Sequence, residues 1–323
     1  MHSVQVQDLT KTYKTKNGLV EAVAGVSFDV AQGEIVGFLG QNGAGKTTTL
    51  RMLTTLLKPT SGSARVAGHD LSTDAQGVRR KIGYVAQSGG TSPAASGRSE
   101  LVLQGRLYQM NQADAVRRAD QLIQEFDLED LADRPTVTLS GGQRRRLDIA
   151  LGLTHRPDVL FLDEPSAALD PQSRSLLWEH VRKVRENYGT TVFLSTHYLD
   201  EADALCDRVL IIDKGRVVAE DSPENLKAQL GYDIVTIELA TDADRAEAVL
   251  AQHPAVQEVK AQAQGLRLTV EHNDRVLLQF LRTLDEAGIE PLSIQVERPT
   301  LDDVFLSITN RSINLPGQQP MNV

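Results

Sequence analysis

The feature that most restricts the fold is a glycine-rich segment, 40–47, which reads G-x-x-x-x-G-K-T. An apolar run, 34–39, precedes it and a helix-forming run, 46–57, follows it, so the pattern predicts a strand, a loop and a helix. In that arrangement backbone N–H groups approach an anion closely, and the helix N-terminus adds a partial positive charge. We expect Lys46 to reach the β- and γ-phosphates of a nucleotide and the Thr47 hydroxyl to bind Mg²⁺. The residues expected to contact the nucleotide here are Gly40, Gln41, Asn42, Gly43, Ala44, Gly45, Lys46, Thr47 and Thr48.

A second apolar run, 159–162, ends in two adjacent acids, Asp163 and Glu164. A buried strand of a parallel sheet ends at the edge where open α/β folds bind their ligands. Asp163 is therefore expected to hold Mg²⁺, directly or through water, and Glu164 to orient and deprotonate an attacking water. Acids are also common where a strand simply reaches solvent, but the phosphate loop favours the catalytic interpretation.

Composition excludes several classes of protein. The chain has 323 residues, which suggests about two domains. Its formal net charge of -9 argues against a protein that coats nucleic acid. No apolar run approaches the roughly 18 residues needed to span a bilayer, and the N-terminus lacks the pattern of a secretory signal. The single cysteine, Cys206, fits a reducing compartment, and we expect a cytosolic protein.

Short β-branched runs alternate with helical patterns up to residue 212, which predicts a parallel sheet flanked by helices. An antiparallel meander is expected before it, at 4–8 and 20–30, and a hairpin after it around Asp213. The strands expected in the parallel sheet are 34–39, 82–86, 159–162, 191–195 and 208–212. We assign residues 1–228 to this nucleotide-binding domain.

Residues 229–312 form a second expected domain, followed by a flexible tail over 313–323. The pattern of the second domain is strand, helix, strand, strand, helix, strand, which predicts a small ferredoxin-like α+β unit. One face of its second helix is expected to be buried, with the residues Val276, Phe280, Leu281 and Leu284. A last helix, 300–308, carries a similar stripe of Leu301, Val304, Phe305 and Ile308, which either closes this unit or docks on another surface.

A third motif lies shortly before the Asp163–Glu164 pair. It reads Leu139, Ser140, Gly141, Gly142 and Gln143. Ser140 and Gln143 have the spacing of a capping box, which predicts a helix from here to about residue 155, and the glycines leave its first N–H groups open to an anion. The motif resembles, in all five positions, the signature sequence of the ATP-binding cassette (ABC) family.

That resemblance implies roles for further residues. In ABC proteins the signature completes the nucleotide site of a second subunit, so a head-to-tail dimer of two chains holding two ATP molecules is implied. Gln87 resembles the glutamine that contacts Mg²⁺ and senses a membrane partner, and His197 resembles the switch histidine that contacts the γ-phosphate and works with Glu164. Asp170 belongs to a loop resembling the D-loop that crosses the dimer, and Tyr13 resembles the aromatic that stacks on adenine.

Two segments depart from the family pattern. The D-loop-like segment has Ala167 and Ala168 where a small residue and a glycine are usual, which suggests altered freedom of this loop. The segment after Gln87, 88–97, is rich in Gly, Ser and Pro, which predicts a mobile loop facing the membrane partner.

The phrases 37–40, 51–57 and 66–70 and the C-terminal segment 301–306 resemble the daunorubicin-resistance type of drug-exporter ATPase. This implies an ATP-hydrolysing subunit, peripheral on the cytoplasmic face of the cell membrane, that powers efflux through a separate transmembrane permease and binds no nucleic acid. An importer ATPase shares the same catalytic residues and remains an alternative, as does a soluble ABC ATPase of translation or DNA repair. The sequence does not identify the transported substrate.

Two other signals have simpler interpretations. Arg144, Arg145 and Arg146 are consecutive on a helix and so point in different directions. One or two of them could approach a phosphate across a dimer, and we expect the remainder to be solvated. Cys206 lies in an apolar helical pattern and is expected to be a structural thiol.

Overall fold

The computed structural model describes residues 2–16, 18–262, 265–271 and 276–313. The chain divides into two compact units, Met1–Ser222 and Pro223–Val323. The division falls slightly before the boundary proposed at 228–229 from the sequence, because the short helix Pro223–Ala228 belongs to the second unit. The tail proposed over 313–323 lies, apart from residue 313, outside the described residues.

The first unit contains two sheets. Its strands are β1 (His2–Thr15), β2 (Gly18–Ala31), β3 (Ile35–Leu39), β4 (Ser61–Val66), β5 (His69–Asp70), β6 (Ile82–Val85), β7 (Val159–Asp163), β8 (Thr191–Thr196), β9 (Arg208–Asp213) and β10 (Arg216–Asp221). One sheet has the order β10-β9-β3-β8-β7-β6, in which β9 to β6 are parallel and β10 is antiparallel to β9. The other, of order β2-β1-β4-β5, is antiparallel. The predicted parallel sheet, meander and hairpin are confirmed.

Within the described residues, seven α-helices and a short 3-10 helix, Thr136–Thr138, accompany these sheets. The α-helices are α1 (Lys46–Leu53), α2 (Ala75–Lys81), α3 (Gly97–Leu107), α4 (Gln112–Glu125), α5 (Gly141–Gly152), α6 (Pro171–Tyr188) and α7 (Leu199–Leu205). The prediction that α1 continues to residue 57 is wrong, because Thr55 takes a left-handed φ of 63° that ends the helix. The prediction that α5 extends to about residue 155 is also wrong, because this helix ends at Gly152.

Aromatic side chains hold the two sheets of the first unit together. Phe193 of β8 packs against Phe38 of β3 and Phe161 of β7, with ring centroids 5.5 and 5.8 Å apart. It also stacks on Phe28 of β2, at 5.6 Å. Every residue of β3, β7 and β8 is buried, as expected for central strands covered on both faces. This shared core fixes the ends of those strands.

Cys206 is buried against the central strand β3 of the parallel sheet. An added Cβ at Gly37 of β3 would lie 2.7 Å from its Sγ, so the thiol occupies the space that a side chain there would fill. Burial raises the pKa of Cys206 well above its usual value. The thiol is therefore structural, as predicted.

The second unit is a four-stranded antiparallel sheet with two helices on one face. Its elements are α8 (Pro223–Ala228), β11 (Tyr232–Leu239), α9 (Ala243–Leu250), β12 (Val256–Gln262), β13 (Gly265–Glu271), α10 (Val276–Glu286), β14 (Pro291–Glu297) and α11 (Leu301–Ile313). The sheet order is β12-β13-β11-β14. The core lies between this sheet and the helices α9 and α10. The order of elements and strands is that of the predicted ferredoxin-like unit.

The buried face of α10 differs from the prediction at one position. Val276, Phe280 and Leu284 are fully buried, whereas Leu281 is 45% exposed. The buried residues are four apart and lie on one stripe, and Leu281 lies about 100° around the helix from Phe280. The prediction that Leu281 is buried is therefore wrong.

The last helix, α11, packs within the second unit. Leu301, Val304 and Phe305 are buried, and α11 contacts α8 of the same unit. Ile308 is only partly buried. The contact of the apolar stripe with α8 lies within the second unit.

The pair Phe280 and Leu281 tests this packing. We expect Phe280→Ala to destabilise the second unit by about 3–5 kcal/mol, because it leaves a cavity in a fully buried core. The adjacent Leu281→Ala is the matched control and is expected to cost less than about 1 kcal/mol. Urea unfolding followed by circular dichroism measures both, and similar losses in the two variants would contradict the assigned helix face.

Candidate functional site

The carboxyl ends of β3, β7 and β8 meet at one edge of the parallel sheet, where open α/β folds bind ligands. A pocket of about 440 Å³ lies there. Its lining residues are Ala22, Asn42, Gly43, Gly45, Lys46, Thr47, Thr48, Gln87 and Glu164. The structure therefore brings the phosphate loop, Gln87 just beyond β6 and Glu164 just beyond β7 to a single cavity. Ala22, from the antiparallel sheet, was not expected in it.

Gly45 precedes the first residue of α1, and two separate constraints require glycine at this position. Its φ of 109° is one that other residues rarely adopt, and an added Cβ would lie 2.6 Å from the Ala22 carbonyl oxygen. This close approach of loop and antiparallel sheet places the N-terminus of α1 at the pocket. The N–H groups of that first turn have no partner within the helix and so suit an anion.

Lys46 is held by its own loop and by an acid. Its Nζ donates to the carbonyl oxygens of Gly40 and Gln41, at 2.8 and 3.1 Å, and lies 3.5 Å from Glu164 Oε1. Burial lowers the pKa of Lys46, and the charge of Glu164 opposes that shift. The ammonium group is thus poised in the pocket, where a phosphate group would provide stronger partners.

Asp163 is oriented by hydroxyl groups from neighbouring segments. Its Oδ1 accepts hydrogen bonds from Thr47 Oγ1 at 3.0 Å and from Ser195 Oγ at 2.6 Å. The Tyr84 hydroxyl lies 3.5 Å from Oδ2. The Thr47 hydroxyl and the Asp163 carboxylate are adjacent oxygen ligands of the kind that Mg²⁺ prefers, so the donor set fits that ion.

Glu164 is the point where three predicted residues converge. Its carboxylate accepts from Gln87 Nε2 at 2.9 Å and lies 3.5 Å from Lys46 Nζ and 3.4 Å from His197 Nδ1. That histidine nitrogen makes no hydrogen bond within the described part of the chain. The backbone N–H of Glu164 donates to the Ser195 carbonyl oxygen at 3.1 Å, which fixes the residue at a φ of 46°.

His197 is placed by ring contacts. Its imidazole lies 4.2 Å, centroid to centroid, from the ring of Tyr198. The Arg174 guanidinium of α6 lies 4.4 Å from the centroid of that tyrosine ring, a cation–π distance. The histidine is one-third exposed at the rim of the site, with its Nδ1 toward Glu164. In this chain alone, Gln87 contacts Glu164 rather than the Thr47–Asp163 pair proposed to bind metal.

The signature residues lie outside the lining of the pocket. Ser140 and Gln143 form the predicted capping box: Gln143 N donates to Ser140 Oγ at 3.3 Å, and Ser140 N donates to Gln143 Oε1 at 2.9 Å. Asp170 caps α6, its carboxylate accepting from the N–H and hydroxyl of Ser173 at 2.9 and 2.6 Å, and these bonds lower its pKa. Tyr13 lies on β1 opposite Val20, partly exposed and also outside the pocket lining.

The loop after Glu164 is held by buried polar contacts. Ser166 donates to the carboxylate of Glu201, and Trp178 Nε1 donates to the same oxygen at 3.1 Å. Burial raises the pKa of Glu201. Ala168 has a φ of 59°, a conformation that glycine adopts at lower cost than alanine. An alanine therefore restricts this loop more than a glycine would.

Besides Ala22, sequence reasoning missed two residues of the site. Ser195 pairs in register with Asp163 on the neighbouring strand, and strand order could not be read from the sequence. Arg145 was expected to be solvated or to face a partner's phosphate, but it is buried and donates to backbone carbonyls beside Glu164. The prediction was wrong because helical spacing gives the direction of a side chain around α5, not the element that covers it.

A phosphate loop, an Asp–Glu strand end and a capped signature helix together define an ATP-binding cassette. Comparison with known proteins agrees: residues 23–167 match the ABC transporter family and residues 222–309 match the DrrA1-3-like C-terminal domain of ATP-binding proteins. The chain belongs to the ATP-binding subunits of ABC transporters and is an ATPase of that family.

Several known proteins are similar to this chain over most of its length. The daunorubicin resistance ATP-binding protein DrrA3 of Streptomyces coeruleorubidus is 41% identical, over 95% of this chain and 96% of its own length. The Nod factor export ATP-binding protein I of Ralstonia nicotianae is 36% identical, over 96% of this chain and 94% of its own.

Among solved structures, a dimeric post-hydrolysis state of an ATP-binding cassette bound to ADP and Pi is similar. It is 28% identical with a TM-score of 0.63, covering 68% of this chain and 98% of that one. CbiO1 of Clostridium perfringens, part of an ABC transporter complex, is 27% identical with the same TM-score, covering 78% of this chain and 96% of its own.

The two glycines of the signature differ in their surroundings, which gives a matched test. We expect Gly142→Ala to destabilise the fold by about 1–3 kcal/mol, because its Cβ would lie 2.7 Å from Ser173 Oγ and 2.9 Å from Ser173 Cβ. Gly141→Ala should be tolerated, since its Cβ would meet only Leu169, at 3.8 Å. Urea unfolding without nucleotide compares the variants; equal stability would disprove the close contact of α5 with α6.

Proposed function

We propose that this chain couples ATP hydrolysis to export through a separate transmembrane permease, working as a head-to-tail dimer with a second copy of itself. One observation carries the proposal. Lys46, Thr47 and Glu164 line one pocket, with Asp163 hydrogen-bonded to Thr47, while the capped N-terminus of α5 lies outside the lining of that pocket. Gly141 at this helix end is exposed, and the free N–H groups of a helix N-terminus favour an anion, which we propose is the nucleotide of a partner.

The proposed dimer is explained by contacts that ATP would make with both chains. The phosphate loop supplies contacts from one side of a nucleotide, and Ser140, Gly141 and Gly142 of a second chain would supply backbone N–H groups and a hydroxyl from the other. ATP then bridges the chains, whereas ADP lacks the γ-phosphate that such a bridge needs. The similar cassette of known structure is dimeric, which supports this arrangement. We propose that Asp170 and its loop lie at the seam, and that Tyr13 stacks on adenine.

The residues of the pocket divide the catalytic work. Lys46 would leave its loop carbonyls to bind the β- and γ-phosphates, and Thr47 and Asp163 would hold Mg²⁺ with Gln87 nearby. The ion supplies charge neutralisation on the phosphates. Glu164, no longer paired with Lys46, orients the attacking water and accepts its proton, and His197 donates a hydrogen bond toward the developing charge.

A groove beside Gln87 is the proposed docking surface for the permease. Its volume is about 380 Å³, and it is bounded by the end of β6, residues 88–90, α3 and α5. Its polar lining includes Glu100, Gln104 and Asp148, and Leu56 and Leu151 supply apolar surface. Gln87 lies between Ala86 and Ser88, both of which line this groove, and it hydrogen-bonds Glu164. Movement of a docked segment would therefore reach the catalytic carboxylate. Within the described residues no helix combines the length and apolarity needed to cross a membrane.

The direction of transport and the class of cargo rest on the relatives. Their names refer to daunorubicin, doxorubicin and linearmycin resistance and to Nod factor export. We propose efflux of a natural product or drug, with the chain bound to the cytoplasmic face of the membrane through its permease. The C-terminal α+β unit, matched to the DrrA-like family, favours an exporter over an importer or a soluble ABC ATPase.

Lys46→Ala tests nucleotide binding. The variant should lose ATP turnover by at least about 100-fold and bind a fluorescent ATP analogue weakly, because its main phosphate contact is gone. Lys81→Ala, which removes a half-exposed lysine paired with Asp158, is the control and should retain activity. Wild-type turnover by a folded Lys46→Ala protein would refute the assigned site.

Glu164→Gln tests the base and the dimer together. The amide keeps the size of the side chain but cannot accept the proton, so Mg-ATP should be trapped and a dimer should accumulate in size-exclusion chromatography. The double variant Lys46→Ala, Glu164→Gln should remain monomeric at the same high protein concentration. Continued hydrolysis, or a monomeric single variant, would count against the mechanism.

A further inference from the structure

Arg145 connects the signature helix to both sides of the catalytic carboxylate. It lies on α5, one turn after the capped N-terminus, and its side chain is buried. Its Nε donates to the Pro165 carbonyl oxygen at 2.9 Å and its Nη2 to the Asp163 carbonyl oxygen at 2.9 Å. Its Nη1 donates to the Ala86 carbonyl oxygen at 2.6 Å. The Asp163 and Pro165 carbonyl groups lie on either side of Glu164, and the Ala86 carbonyl group immediately precedes Gln87.

A guanidinium group is specifically suited to this position. Its planar fork carries N–H donors on three separate nitrogens, and here each nitrogen donates to a different carbonyl group, whereas the three donors of a lysine ammonium all lie on one nitrogen at the end of a flexible stem. Burial lowers the pKa of Arg145, and the charges of Asp148 and Asp163 oppose that shift. The side chain remains charged and so needs its carbonyl partners.

The neighbouring arginines bond elsewhere. Arg144 donates to Thr91 Oγ1 at 3.2 Å, and Arg146 donates to the carbonyl oxygens of Phe126 and Asp127, at 2.8 and 3.0 Å. Arg146 thus ties α5 to the end of α4, away from the carboxylate. Of these three arginines, Arg145 alone bonds the peptide groups on either side of Glu164.

We propose that Arg145 is a positioning residue for hydrolysis: it sets Glu164 and Gln87 of a subunit relative to the signature helix of that same subunit. This inference rests on the proposed function. The signature end of α5 engages the nucleotide of the partner, and Arg145 fixes the other side of the same helix to the subunit's own catalytic segment. Closure of the dimer on one nucleotide therefore acts directly on the geometry of the carboxylate that serves the other.

The contacts explain why turnover, rather than binding, depends on Arg145. Glu164 is held at its left-handed φ between Ser195 on one strand and the bonds of Arg145 to Asp163 and Pro165. Without the guanidinium, the peptide groups before and after Glu164 lose their partner and the carboxylate is free to turn. The phosphate loop makes none of these bonds and keeps its own geometry.

The test compares Arg145→Gln and Arg145→Lys with Arg146→Gln in the full-length chain. We expect kcat of Arg145→Gln to fall by on the order of 100-fold, the effect of a displacement of about 1 Å in a catalytic group. The Kd for a fluorescent ATP analogue should stay within about twofold, because the phosphate loop is unaltered. Arg145→Lys, which can reach some of the carbonyls, should have an intermediate kcat. Arg146→Gln should keep kcat.

A second measurement separates positioning from folding. In the Glu164→Gln background, Arg145→Gln should still form the Mg-ATP dimer, because α5 retains its capped end. Wild-type kcat in folded Arg145→Gln would overturn the inference. An equal loss of kcat in Arg146→Gln, or a loss of ATP binding and dimer together with thermal stability, would also overturn it by showing a merely structural role. Failure of the Glu164→Gln protein itself to dimerise would instead reject the proposed function.

Discussion

The contact between Lys46 and Glu164 governs the rest of the site. Both side chains are buried, and a buried charge is tolerated only where it is paired or hydrogen-bonded. Without nucleotide, each satisfies the other, aided by loop carbonyls on one side and Gln87 on the other. In the proposed mechanism a triphosphate replaces Glu164 as the partner of Lys46, and the acid then serves as a base. The same pair of side chains would thus link nucleotide binding to the release of the base.

This arrangement depends on strand ends that cannot shift. The Phe193 cluster joins the antiparallel and parallel sheets into one core, so the ends of β3, β7 and β8 are set by packing rather than by the ligand. The in-register pairing of Asp163 with Ser195 then places a hydroxyl group beside the carboxylate, with no further loss of backbone conformational entropy. Precise placement of small polar groups on rigid strands is what a phosphoryl-transfer site requires.

Local sequence predicted what depends on local structure. The phosphate loop, the Asp163–Glu164 strand end and the Ser140 capping box each involve a few adjacent residues, and the structure brings the first two together at one cavity. Strand positions followed from apolar runs, since central strands are buried throughout. The ferredoxin-like order of the second unit followed from the same periodicities.

Features that depend on tertiary neighbours could not be predicted. To predict the contact of Ser195 with Asp163, one must know the order of the strands. To predict the burial of Arg145, one must know that α5 lies over β6 and β7. Leu281 lies at the margin of an apolar face, where periodicity does not decide exposure. The end of α1 depends on the left-handed conformation of Thr55, and a threonine, unlike a glycine or a proline, does not signal the end of a helix in the sequence.

The buried position of Cys206 has a practical consequence for measuring motion in this protein. A thiol with a raised pKa, packed in the space above Gly37, reacts slowly with maleimides and disulfide reagents while the chain is folded. It is the chain's single cysteine. A cysteine introduced at an exposed position, such as the signature loop or the groove beside Gln87, would therefore be labelled selectively without first removing the native one. The two nucleotide sites of the proposed dimer could then be followed by spin or fluorescent probes in an otherwise unaltered chain.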